Sequence, residues 1–194
     1  VIVFVACGTT PTTKEELEEA GREAYLKEDY AKARDYLGRA VTLKSSERES
    51  LYYLGLSYQR IYMMDSALFY LKRADLLHPN DREINLSLYP IAAELKEWEL
   101  AARAIMVLVT TGDPIEQYRE KLADLNIKMG NFIVAFIHAK ALLEMEPENP
   151  GRYYQMAMIA YKIDSLDFAL NVIDQGIEKF GEDPGFMAQK GLVL

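Results

Sequence analysis

Apolar and small side chains recur along this chain at offsets of three, four and seven residues. The runs are Tyr30, Ala33, Leu37 and Ala40; Met64, Ala67, Leu71 and Ala74; Trp98, Ala101, Ile105 and Leu108; Phe132, Ala135, Ala139 and Leu142; and Leu166, Ala169, Ile173 and Gly176. Such offsets place the residues on one face of an α-helix. Each run therefore predicts a helix that buries one stripe. Ala33, Ala67, Ala101, Ala135 and Ala169 are spaced by 34 residues every time, so the runs are copies of one unit.

A second column stands twelve residues before each marker alanine: Gly21, Gly55, Tyr89, Ala123 and Ala157, continued by Gly191. Small residues in mid-face let two helices approach closely. The large residue three positions before the alanine fills the gap beside the turn. Alone, a unit leaves an apolar flank exposed, and stacking the next unit covers it. Breaks fall between the runs. Pro79, Pro114, Pro147 and Pro184 close or open helices, and Glu28-Asp29, Gly130-Asn131 and Asp164-Ser165 mark short turns within units. The units predicted are 14–47, 48–81, 82–115, 116–149 and 150–183, with a partial sixth at 184–194. In each, a first helix of about fourteen residues precedes the second helix. Pro90, inside the third unit's first helix, removes a donor and crowds the carbonyl of Leu86, so a kink is expected there.

The period and the residues at its fixed positions resemble the tetratricopeptide repeat. Leu54, Gly55, Tyr58, Ala67, Leu71, Ala74 and Pro79 match its pattern best, and the resemblance covers residues 14–194. Tyr89, in the small-residue column, departs from it. The resemblance implies an all-α fold, a right-handed superhelical solenoid of antiparallel helix pairs whose first helices line a concave groove. By position, the implied partner-binding groove carries Arg22 and Tyr25 (with Glu18); Tyr52, Leu56, Gln59 and Arg60; Leu86 and Glu94; Glu120, Asp124 and Lys128; and Tyr154, Met158, Tyr161 and Lys162. Tyrosine suits capture of a protein or peptide, having a large ring and a polar tip. Tyrosine at helical spacing more usually packs between units, and both readings stand. The Lys and Asn clamp with which one subclass grips a terminal carboxylate is absent, since Glu18, Arg22, Tyr52 and Leu56 occupy the comparable sites.

Residues 1–6 are apolar, Cys7 follows, and the next six are small or polar. This resembles the end of a bacterial lipoprotein signal peptide, which implies lipidation at Cys7 and a tether to residue 13. Phe4 departs from the usual aliphatic residue, and neither a basic start nor an initiator Met is present. On this reading the chain lacks its first residues, and its end inside a sixth unit also suggests a fragment. The alternative is an apolar segment that caps the first unit. Gly8 carries no acidic retention signal, so the implied address is the outer membrane of a bacterial envelope, facing the periplasm or the surface.

Charge and chemistry change the picture less. A net charge of −8 repels phosphate backbones, so no nucleic-acid partner is expected. One cysteine excludes an intrachain disulfide, and with His78 and His138 it makes no usual zinc site, so no metal is expected. No phosphate loop, zinc-binding His-Glu motif or nucleophile elbow occurs, so neither catalytic residues nor cofactors are expected, and the chain does not read as an enzyme. His78 precedes a helix-ending proline, and His138 sits mid-helix as packing or surface. The function expected is a membrane-anchored scaffold that binds protein partners through its concave groove. A surface module that captures glycans or peptides, or the helical platform of a larger protein, remains the alternative.

Overall fold

The turn inside each helix pair repeats as faithfully as the helices. Glu28, Tyr62, Lys96, Gly130 and Asp164 lie 34 residues apart, and each has a positive φ between 59° and 76°. Around Glu28, the amide of Asp29 donates to the carbonyl of Ala24 at 2.9 Å and that of Glu28 to Tyr25 at 2.9 Å. The same pattern recurs around Tyr62, Gly130 and Asp164. This left-handed cap satisfies carbonyls that the ending helix leaves open. Four of the five positions carry a side chain where glycine is favoured. Glu28→Gly is therefore expected to stabilise the protein by about 0.5–1 kcal/mol, because relief of left-handed strain exceeds glycine's entropy cost. An unchanged or lower denaturation midpoint for that variant would contradict this.

The computed structural model describes residues 10–43 and 47–194. The lipidation expected at Cys7, and most of the segment around it, fall outside these residues. The helices are α1 (Lys14–Leu26), α2 (Tyr30–Leu43), α3 (Arg48–Arg60), α4 (Met64–Leu77), α5 (Arg82–Glu94), α6 (Trp98–Thr110), α7 (Arg119–Lys128), α8 (Phe132–Met145), α9 (Pro150–Lys162), α10 (Leu166–Phe180) and α11 (Pro184–Val193). No strand occurs among the described residues, and no helix there is long and apolar enough to cross a membrane. The fold is all-α, as expected.

Local sequence explains the starts. Thr13 accepts from the amide of Glu16 while the Glu16 carboxylate accepts from the amide of Thr13, a reciprocal cap for α1. Asp81 caps α5. Asn149 and Asp183 cap α9 and α11, each followed by proline at the first helical position. One expectation needs correction. The fourth first helix does not begin at 116: a 3₁₀ turn, Ile115–Tyr118, precedes α7. Tyr118 is buried there and its hydroxyl donates to Asp113 at 2.8 Å, which ties the turn to the loop before it. The helix α5 runs through Pro90 to Glu94 with the proline exposed.

The contacts group into two units, Val1–Leu95 and Lys96–Leu194. In the first, α1 packs on α2 and α3 on α4. Then α2 packs on α3, α4 on α5, and α1 touches α3. In the second, α7 pairs with α8 and α9 with α10. There α8 packs on α9, α10 on α11, and α9 touches α11. The marker alanines are all fully buried, as are Leu37, Leu71, Ile105 and Ile173. Each buried Leu or Ile contributes about 1.5–3 kcal/mol. The glycine column sets the spacing: a Cβ at Gly21 would lie 2.5 Å from Leu37 Cγ, and one at Gly55 2.7 Å from Leu71 Cγ.

Candidate interaction surface

In the first unit, α1, α3 and α5 present the expected groove residues. A cleft of about 350 Å³ opens between α1 and α3, walled by Glu15, Glu18, Glu19, Arg22 and Glu49. Its charges are largely paired across the helices. Arg22 Nη1 lies 3.1 Å from Glu49 Oε1, Lys14 Nζ 2.7 Å from Glu47 Oε1, and Ser50 Oγ donates to Glu18 Oε1 at 2.6 Å. Tyr25 meets Tyr30 and Tyr53 edge-on, with ring centroids 5.4 and 5.2 Å apart. Tyr52 meets Tyr53 at 5.6 Å, lies under Arg48 at 5.3 Å, and its hydroxyl is 3.5 Å from Ser87 Oγ. Burial pushes the Tyr52 phenol up from its ordinary pKa. Arg60 is exposed, 5.8 Å over the ring of Tyr30. Leu56 and Gln59 are half-buried; Leu86, 41% accessible, and Glu94 are exposed on α5. Tyr25 and Tyr52 are thus joined through Tyr53, whereas Leu86 and Glu94 stand apart from that ring cluster.

In the second unit, Glu120 and Asp124 face α9. Arg152 Nη1 lies 3.0 Å from Glu120 Oε1 and its Nε 3.0 Å from Glu146 Oε2. Gln155 Nε2 donates to Asp124 Oδ1 at 3.1 Å. Desolvation, then the neighbouring Glu120 charge, raises the Asp124 carboxyl above the usual carboxylate pKa. Lys128 Nζ sits 4.6 Å over the ring of Trp98. The Tyr154 hydroxyl donates to Asp183, and its ring stacks on Phe186 with centroids 4.1 Å apart. Met158 and Tyr161 border a small apolar pocket of about 50 Å³ with Leu192, while Lys162 remains exposed.

All fifteen expected groove residues are half-buried or exposed, and none is in the sealed interior. Sequence reasoning missed the residues that hold them. Arg152, Gln155, Ser50, Glu49 and Asp183 each reach from one first helix or its cap to another. Opposite charges about one period apart, such as Glu120 and Arg152, were the available signal.

His138 is buried at 9% accessibility on α8, with no hydrogen-bond partner for Nδ1. Desolvation, and then the charge of Arg119, lowers its pKa below the ordinary imidazole value. The unfolded chain therefore takes up this proton first. The stability linked to His138 is fully present above about pH 6.5 and is lost as pH falls through the ordinary imidazole value toward the lower folded one. Denaturation midpoints at pH 7.5 and 5.5 should differ less in His138→Gln than in the native protein. Equal differences in both would count against it.

No group of three His, Cys, Asp or Glu side chains among the described residues is placed to hold a metal ion. No protein-family model and no curated protein matches the chain. Solved structures do. MamA MSR-1 superposes with a TM-score of 0.61 at 17% identity, covering 85% of this chain and 95% of that one. MamA AMB-1 gives 0.62 at 16%, covering 90% and 96%. A tetratricopeptide repeat protein from Parabacteroides merdae ATCC 43184 gives 0.55 at 18%, covering 93% and 72%. This is a tetratricopeptide-like repeat fold. The repeats explain why α1, α3, α5, α9 and α11 begin at multiples of 34 residues from one another. They also explain why the bonds that order the first helices join residues about one period apart.

Proposed function

We propose that this chain is a protein-interaction scaffold that binds a peptide or protein segment along the accessible faces of its first helices, and that Cys7 carries a lipid holding it to the membrane of a bacterial envelope. The observation that carries the binding reading is the state of those faces. Their charges are fixed by neighbours, as in Arg22–Glu49 and Arg152–Glu120, while Leu56, Leu86, Arg60 and Lys162 remain accessible. Pre-organised side chains with apolar gaps lose little entropy when a partner docks. The solved structures of like fold add the architecture, and the partner class follows from the chemistry of the face.

The paired substitution Leu56→Glu and Leu86→Glu tests it. Both side chains lie off the sealed core, so helicity by circular dichroism should be retained. Pull-down from detergent-solubilised membranes should recover a defined protein complex with the native chain and lose it, by about tenfold or more, with the pair. A complex that survives the pair unchanged overturns the groove assignment, and a glycan-array signal without any protein partner favours the glycan-capturing alternative. For the anchor, mass spectrometry of the native protein should find diacylated Cys7 as the first residue. Unmodified Cys7 with residues 1–6 attached would remove it.

A further inference from the structure

A different surface, on a second helix of a pair, stands apart from those faces. The outer stripe of α4 reads Asp65, Phe69, Lys72 and Leu76, which at 3.6 residues per turn fall within about 60° of one another. All four are exposed: Phe69 is 56% accessible and Leu76 80%. They border a shallow depression of about 360 Å³ on the same helix. Arg73 lies 5.7 Å over the ring of Phe69 and 5.9 Å over that of Tyr70, which fixes the aromatic face. Just before the helix, in its left-handed turn, Tyr62 is 86% accessible. No ion pair within the described residues engages Asp65 or Lys72.

The order of these groups is self-complementary when reversed. Tyr62 stands seven residues before Phe69, and Leu76 seven after. Asp65 stands four before, and Lys72 three after. A two-fold axis through Phe69 therefore sets an acid opposite a base twice, Tyr62 opposite Leu76 twice, and Phe69 on its own copy. We propose that α4 is a homodimer contact: two copies of this chain pair their α4 helices antiparallel about Phe69. A closed, isologous contact of this kind needs the same patch to be its own complement, and charge supplies that here. A foreign partner would not require the symmetry. One helix per copy buries less than a standard interface, so the dimer is weak, with a dissociation constant on the order of 10–100 µM.

Sedimentation velocity of the full chain over a concentration series tests the pairing. The native chain should shift from monomer to dimer. Asp65→Lys and Lys72→Asp should each weaken self-association by about tenfold or more, because each sets like charges opposite one another. An equimolar mixture of the two variants should recover a heterodimer, since one copy then carries a base at both positions and the other an acid at both. The double variant should recover a homodimer, because the exchange leaves opposite charges facing each other. Phe69→Asp should abolish association. A native chain that stays monomeric up to 1 mM, about tenfold above the expected dissociation constant, overturns the proposal. So does a dimer indifferent to Phe69→Asp, or single variants that fail to associate when mixed.

Discussion

Gly55→Leu is expected to cost about 3 kcal/mol or more of stability and to break the packing of α3 on α4. A Cβ at Gly55 would lie 2.7 Å from Leu71 Cγ, 3.0 Å from its Cδ2 and 3.3 Å from its backbone nitrogen. The backbone atom cannot rotate away. Leu71 itself is fully buried, so its side chain has no open space to enter. Overpacking alone costs about 1–3 kcal/mol for added methylenes in a tight core, and a whole leucine side chain against two walls exceeds that. Leucine recovers only about 1 kcal/mol through better helix propensity than glycine. Gly38, beside which nothing lies within 4 Å of an added Cβ, is the internal control. Gly38→Leu should be neutral or stabilising by thermal denaturation. Equal midpoints for the two variants would show that close approach does not set the spacing of the pair.

Phe186→Ala should cost about 3–5 kcal/mol in the docking of α11. Phe186 is fully buried, stacks on Tyr154 at 4.1 Å and lies 6.5 Å from the ring of Phe180. It fills the space that Gly176 leaves open, where an added Cβ would stand 2.4 Å from its ring. Alanine there leaves a cavity beside Gly176, Tyr154 and Phe180, in the hydrophobic core of that unit. α11 has few other anchors: Gln189 Nε2 donates to the Tyr154 carbonyl at 3.1 Å, and Lys190 pairs with Asp174 at 2.6 Å. Hydrogen exchange should show amides of α11 losing protection by about a hundredfold or more while those of α9 change less. Unchanged protection in α11 would mean that it is held by something other than this ring.

The fold was legible because its strongest signal is local and repeated. Ala33 through Ala169, with the partners three before and four after, give helix identity, buried face and period from one column. The turn between helices was legible only in part. Gly130 and Asp164 announce it, but Tyr62 and Lys96 adopt the same left-handed conformation without any residue preference for it. Around Tyr62 the packing of α3 on α4 imposes the backbone, and intrinsic propensity yields. The 3₁₀ turn before α7 was not legible either, because it depends on a buried hydroxyl contact between Tyr118 and Asp113.

Of the proposed interaction surface, the sequence named candidate positions and the fold supplied their chemical state. The sequence marks Arg22 and Glu120 only as groove positions, and in the structure each is held by a residue from the neighbouring repeat, Glu49 and Arg152. Tyr25 and Tyr154 read as contact or packing; in the structure both rings pack on neighbours and both residues are half-buried. The symmetry of the α4 stripe likewise required accessibilities, since Phe69 and Leu76 could have faced the interior. The sequence by itself determined helix and buried stripe, because these follow from spacing within about seven residues, and the period, because one column recurs every 34 residues. Only the tertiary structure decided which exposed charges are satisfied, which glycines touch a neighbour and which apolar groups stay open, because those depend on side chains brought close from other helices.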